Sequence, residues 1–200
     1  MWGLGVTGVL FGLAALLAHI AGVAHADAGS WGYVGAAGPA HWGGLDATYS
    51  VCDVGRSQSP VNIAAAMTVG LPPLQLQYAG QGKTIVDNGH SVQVDFDGGS
   101  ALTLDGANFA LKQVHFHAPS ENQINGKSYP LEAHLVHADA SGNLAVVGVM
   151  FEHGAPNPGL EKLWAQMPTS KNTAVALKAA FAPTEILPAT REYFRFSGSL

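Results

Sequence analysis

Gln113-Val-His-Phe-His117 and Glu132-Ala-His-Leu-Val-His137 are the two stretches that decide how this chain folds. In an extended strand, side chains alternate between faces, so Gln113, His115 and His117 point one way and Val114 and Phe116 the other. By the same rule Glu132, His134 and Val136 share a face. If the two strands pair side by side, the imidazoles of His115, His117 and His134 converge. Three neutral imidazoles with an open fourth position are the ligand set of a catalytic zinc, because the fourth position must hold water or substrate. Gln113 and Glu132 each stand two residues before a histidine on its face, where a polar partner can fix ring tautomer and orientation. A His-x-His pair alone also suits hydrogen-bonded core or surface histidines. The third histidine, in phase with an acid, turns the pattern toward metal.

Working outward, the flanking segments read as hairpins. Ser91–Phe96 alternates, with Val92, Val94 and Phe96 on one face; Asp97-Gly-Gly99 is a turn and Ala101–Leu104 the returning strand. Phe109–His117 and Leu131–His137 are the ligand strands. Asp139–Asn143 is a turn, and Leu144–Phe151 is a nearly continuous apolar strand suited to the centre of a sheet. The period then changes: Leu160, Leu163, Trp164 and Met167 follow helical spacing behind Pro158. A short helix around Ala174–Ala180 and a strand at Tyr193–Phe196 complete the reading. The fold class is mainly β: one domain around a twisted, largely antiparallel sheet with short peripheral helices. Trp31, Tyr33 and Trp42 lie in a Gly/Pro-rich coil, Gly29–Gly44, and are expected to seek burial.

Composition agrees. Of 200 residues, 48% are hydrophobic, only 12% are charged and 25 are glycine, which suits a loop-rich β domain better than a helical bundle. The net charge is -5 with no Lys/Arg cluster, which argues against a nucleic-acid partner. Residues 1–26 carry no charge. Val9–Ala18 is an apolar run and Ala24-His-Ala26 has the form of a signal-peptidase site, so residues 1–26 are expected to be a cleaved leader and 27–200 the mature domain, periplasmic or secreted. No Lys or Arg precedes the run, and the competing reading is a retained membrane anchor; His19 and several glycines interrupt the run and favour the leader, leaving no stable span after cleavage. Cys52, the single cysteine, is either a free thiol or half of a bridge.

Several blocks occur in order: Trp31-Gly-Tyr33, Gly38-Pro-Ala-His41-Trp42, Gln58-Ser-Pro-Val-Asn62-Ile63, Asn88-Gly-His90, the two histidine segments, Ser120-Glu121 and Ser197-Gly-Ser-Leu200. Together they closely resemble an α-class carbonic anhydrase of bacterial, exported type. The resemblance implies a sheet of about ten strands and zinc-dependent, reversible hydration of carbon dioxide to bicarbonate. It implies Zn2+ on His115, His117 and His134, oriented by Gln113 and Glu132, with His90 as proton shuttle. It implies Tyr33 and Asn88 along a water chain, and Val136, Val146 and Leu200 as an apolar wall for carbon dioxide. Glu121 resembles the acid that orients a catalytic threonine, and sulfonamides or anions are expected inhibitors. From the residues alone, His90 also fits an exposed turn histidine, Glu121 an ion pair with Lys127, and Val136 and Val146 plain core. His137 faces away from His134 and reads as structural; His41 and His153 read as surface or hydrogen-bonded.

The family continues past the Ser197–Leu200 motif with two threonines, two prolines and a cysteine, then further strands. The expectation is therefore a C-terminally incomplete copy, without the threonine that would partner Glu121 and the cysteine that would bridge Cys52. A chain of this length is expected to fold poorly and to show little activity. Two other readings compete. His115-x-His117-x3-Glu121 fits a cupin metal site with Glu121 as fourth ligand, but a second cupin motif does not occur. A zinc-binding but inactive carbonic-anhydrase-like module is the other.

Overall fold

The structure, a computed structural model, describes residues 9–14 and 31–198. Its strands are β1 (Val9–Ala14), β2 (Asn62–Ile63), β3 (Gln75–Tyr78), β4 (Thr84–Asp87), β5 (Val92–Asp95), β6 (Ser100–Leu104), β7 (Ala107–His117), β8 (Gln123–Ile124), β9 (Leu131–Ala138), β10 (Leu144–Phe151), β11 (Thr173–Ala176) and β12 (Tyr193–Phe196). Ten of them form one sheet in the order β11-β4-β5-β7-β9-β10-β1-β12, with β6 joining β7 to β3. Every pair in it is antiparallel except β1 with β12, and β2 and β8 form a separate parallel pair. The fold is the mainly β, largely antiparallel one the alternation calls for. Among the described residues no helix is long and apolar enough to cross a membrane.

The core lies on one face of the sheet. Val114 and Phe116 of β7, Ala133 and Leu135 of β9, and Ala145, Val147, Val149 and Phe151 of β10 are all buried there. The helix Pro158–Trp164 covers that face with Leu160 and Leu163, whose burial stabilises by about 2 kcal/mol each. Asn157 caps it, accepting from Leu160 N–H at 2.9 Å, and Pro158 needs no partner for its missing N–H. Met167 falls beyond this helix and is exposed, so the stripe is shorter than its spacing implied.

β7 does not keep one phase. Phe109 and Leu111 face the core, as do Val114 and Phe116, which have the opposite parity. A register shift against β9 between Leu111 and Gln113 reconciles them. This β-bulge turns Gln113, His115 and His117 away from the core.

Three expectations need correction. The strands either side of Asp97–Gly99 do not form a hairpin: β5 pairs with β4 and β7, and β6 with β3 and β7, so both line β7 in succession instead of pairing with each other. Ala174–Ala180 is not a helix: Thr173–Ala176 is β11, paired with β4 from Thr173↔Asp87 to Ala176↔Thr84. Asn172, at φ 56 and donating to Asp87 O at 2.6 Å, turns the chain onto the open edge of β4. Ladder hydrogen bonds there override alanine's weak helix preference. Of the three aromatics expected to be buried, Trp31 and Trp42 are half-buried and Tyr33 is 43% exposed. Of the leader reading, Val9–Ala14 forms β1, while Ala24–Ala26 and Asp27 lie outside the described residues, as does Leu200.

Candidate metal centre

The pairing of β7 with β9 sets His115 opposite His134 and His117 opposite Glu132. On the next strand β10 places Gly148 opposite His134, so no side chain crowds that ring from its neighbour. Ring centroids are 4.8 Å (His115–His117), 5.1 Å (His115–His134) and 4.7 Å (His117–His134) apart. One nitrogen from each ring lies within 4.8 Å of the others, the one such cluster able to hold a metal among the described residues.

The outer partner of each ring sets its tautomer. His115 Nδ1 is 2.8 Å from Gln113 Oε1, an acceptor, so Nδ1 carries the hydrogen and Nε2 the lone pair. His134 Nε2 is 3.0 Å from Glu132 Oε1 and donates to it, leaving the lone pair on Nδ1. Tyr33 donates its hydroxyl hydrogen to Glu121 Oε1, so the hydroxyl oxygen accepts from His117 Nδ1 at 3.2 Å. His117 Nε2 is then buried with no hydrogen-bond partner among the described residues. A buried nitrogen lone pair left unpaired costs free energy unless something binds it. Three lone pairs, two Nε2 and one Nδ1, thus converge, and the donor set fits one borderline-soft divalent ion.

Electrostatics favour the neutral form of His115 and His117 and pull His134 the other way. Burial, with the neighbouring His134 and His117, pushes His115 down to about 2. Burial and His134 push His117 down to about 4, against the pull of Glu132. Burial alone would raise the Glu132 carboxyl, but hydrogen bonds from His134 and Asn122 outweigh it and hold it below the usual range. Burial lowers His134, and the hydrogen bond and charge of Glu132 outweigh that and raise it. Burial raises Glu121, with the Tyr33 hydrogen bond opposing. Burial and Glu121 raise Tyr33.

Other residues singled out from the sequence fall around this cluster. Glu121 Oε2 stands 3.4 Å from His117 Nε2 and 3.8 Å from His134 Nδ1, and it does not pair with Lys127, which binds Glu152 instead. Val136 and Val146 are paired across β9 and β10 on the histidine face, each 8% exposed, outside the apolar core on the sheet's other face. His90 is exposed and stacks on Trp31 (4.3 Å, 11°). Trp31 meets Tyr33 edge-on at 5.6 Å, and Tyr33 meets His117 at 6.2 Å, so aromatic rings link His90 to the cluster without direct contact. Asn88 Oδ1 accepts from His90 N–H and Ser91 N–H at 3.0 and 2.7 Å, holding the turn that presents His90. His137 lies on the core face, away from His134. Cys52 is an exposed free thiol beside a groove of about 410 Å³ lined by Pro39, His41 and Asp53 and by none of the centre's residues. Sequence reasoning placed Tyr33 on a water chain and missed its direct bonds to His117 and Glu121. It also missed Asn122.

A histidine triad with oriented rings, on the face of a central antiparallel sheet opposite its apolar core, could hold a single metal ion. The family described as eukaryotic-type carbonic anhydrase matches residues 37–200. A carbonic anhydrase of Pectobacterium atrosepticum is 44% identical over 190 residues, covering 95% of this chain and 78% of that one. The α-carbonic anhydrase of Photobacterium profundum superposes with TM-score 0.78 at 48% identity, covering 86% of this chain and 77% of that one. The Thermovibrio ammonificans enzyme, solved with sulfanilamide, gives 0.80 at 45% over the same shares. The chain belongs to the α-carbonic anhydrase family, enzymes of carbon dioxide hydration. The cupin alternative is not favoured.

Proposed function

We propose that the chain interconverts carbon dioxide and bicarbonate at a zinc ion held by His115 Nε2, His117 Nε2 and His134 Nδ1. The observation that carries this is the buried, unpartnered Nε2 of His117, aimed into a cluster whose other two lone pairs are turned the same way by Gln113 and Glu132. Zinc, when bound, supplies Lewis acidity that brings the pKa of water to about 7, a value established for carbonic anhydrases generally rather than worked out from these residues.

The chain's own groups do the rest. Gln113, Glu132 and Tyr33 hold the rings so that little reorganises during turnover. Val136 and Val146, paired on the histidine face, form an apolar wall against which carbon dioxide rests. Glu121, through Tyr33, orders the polar side of the site. Each hydration releases a proton, and an imidazole carries protons both ways around neutrality. His90, exposed and stacked on Trp31, takes that role with Asn88 holding its turn. A sulfonamide anion is expected to compete for the open position, as the Thermovibrio complex suggests by analogy.

Stopped-flow hydration with a pH indicator, on protein loaded with zinc, tests the reading. One zinc per chain and sulfonamide-sensitive hydration are expected. One bound metal without hydration, both in this chain and in a form extended with the relatives' C-terminal portion, would make the chain a binding module.

The apolar run Val9–Ala18 and Ala24-His-Ala26 support export to the periplasm with removal of residues 1–26. Removal would take β1 from its place between β10 and β12. Intact mass of protein from the periplasmic fraction decides: loss of residues 1–26 supports export, and full length in the cytosol overturns it.

A further inference from the structure

Asn122 follows Glu121 and is only 6% exposed. Its backbone N–H donates to Glu132 Oε2 at 3.0 Å and its side-chain Nδ2 to Glu132 Oε1 at 2.8 Å. Its Oδ1 accepts from Val61 N–H at 2.8 Å, and its carbonyl accepts from Ser120 Oγ at 2.7 Å. With His134 Nε2, the Glu132 carboxylate therefore accepts three N–H groups, and at 0% exposure it has no water to replace a lost one.

This arrangement splits the two ends of one amide between two tasks. Oδ1 ties the segment before β2 to the centre, a structural link. Nδ2 bonds the same oxygen that receives the His134 hydrogen. Without it, Oε1 keeps one donor and the carboxylate can rotate about its remaining contacts, carrying His134 with it. We propose that Asn122 is a positioning residue of the metal centre: its Nδ2 fixes the Glu132 carboxylate and thereby the tautomer and direction of the His134 Nδ1 lone pair. The proposal rests on His134 being a metal ligand. Asn122 itself touches neither metal nor substrate.

Asn122→Asp separates the two tasks. It keeps volume and the acceptor for Val61 but replaces the donor with an oxygen facing Glu132. Zinc release to a chelator is expected to accelerate roughly 10-fold to 100-fold, the usual effect of losing an outer partner of a metal-bound histidine. In metal-free protein the His134 ring 15N shifts are expected to report Nε2–H alone in the wild type and mixed tautomers in the variant. Ser120→Ala removes a neighbouring structural bond; it should lower the melting temperature and leave zinc release unchanged. If N122D does not fold, N122A, which removes both amide atoms without adding charge, is read on the His134 ring shifts, which loss of the Val61 link alone would leave unchanged. Unchanged release and unchanged ring shifts in the folded variant, with one zinc on the wild type, overturn the proposal alone. A wild type that binds no zinc overturns the metal-centre reading and this one with it.

Discussion

His137 offers a test of the core by pH. It is fully buried, with Nδ1 3.1 Å from Ala145 O and Nε2 2.9 Å from the Tyr78 hydroxyl, against whose ring it stacks at 5.8 Å and 15°. Ala145 O only accepts, so Nδ1 donates and Nε2 takes the Tyr78 hydrogen; the ring is neutral. Burial pushes His137 down to about 4, with the carbonyls of Ala145 and Leu135 opposing. An unfolded histidine titrates near 6.5, so between roughly pH 6.5 and 4 the unfolded chain holds one more proton than the folded chain at this site. The stabilisation is fully present above about 6.5 and is lost as pH falls toward 4. About 2.5 pK units at 1.36 kcal/mol each make it roughly 3 kcal/mol. The perturbation is His137→Gln, which cannot titrate. Urea unfolding of metal-free wild type and variant from pH 7 to pH 4 measures the difference, and the shared titration of His115, His117 and His134 cancels. The stability gap between the two proteins is expected to shrink by about 3 kcal/mol across that window. A gap independent of pH would refute the reasoning, because His137 would then carry the same charge in both states.

Filling the apolar wall by Val146→Phe should lower kcat/KM on the order of 10²-fold, as misplacement of a reactant does, while leaving zinc content unchanged; an unaltered kcat/KM in stopped-flow hydration would remove Val146 from the substrate site. His90→Ala should lower kcat on the order of 10²-fold in dilute buffer, with kcat/KM intact and kcat restored by added imidazole, since proton export follows the chemical step; equal kcat at all buffer concentrations would leave His90 as a turn residue stacked on Trp31.

Much of the centre was legible because it depends on local period. Alternation alone put Gln113, His115 and His117 on one face of their strand and Glu132 and His134 on one face of theirs, and pairing makes these the same face of the sheet. The helix behind Pro158 was readable for the same reason: a cap is set within a few residues. The hairpin at Asp97–Gly99 was not, because β5 and β6 both pair with β7 and not with each other. The motifs in order carried the family and, through it, the sheet. What local pattern cannot encode is which distant group arrives. Tyr33 reaches His117 and Glu121 across 84 and 88 residues, and Val61 reaches Asn122 across 61. Thr173–Ala176 became a strand because β4 had an open edge, a property of the assembled sheet. The bulge after Leu111 is the sharpest case. The sequence by itself determined that Val114 and Phe116 turn away from the histidines; only pairing with β9 decided that the phase changes after Leu111 so that Phe109 and Leu111 join them in the core, because a strand can shift register only against a partner that holds its own.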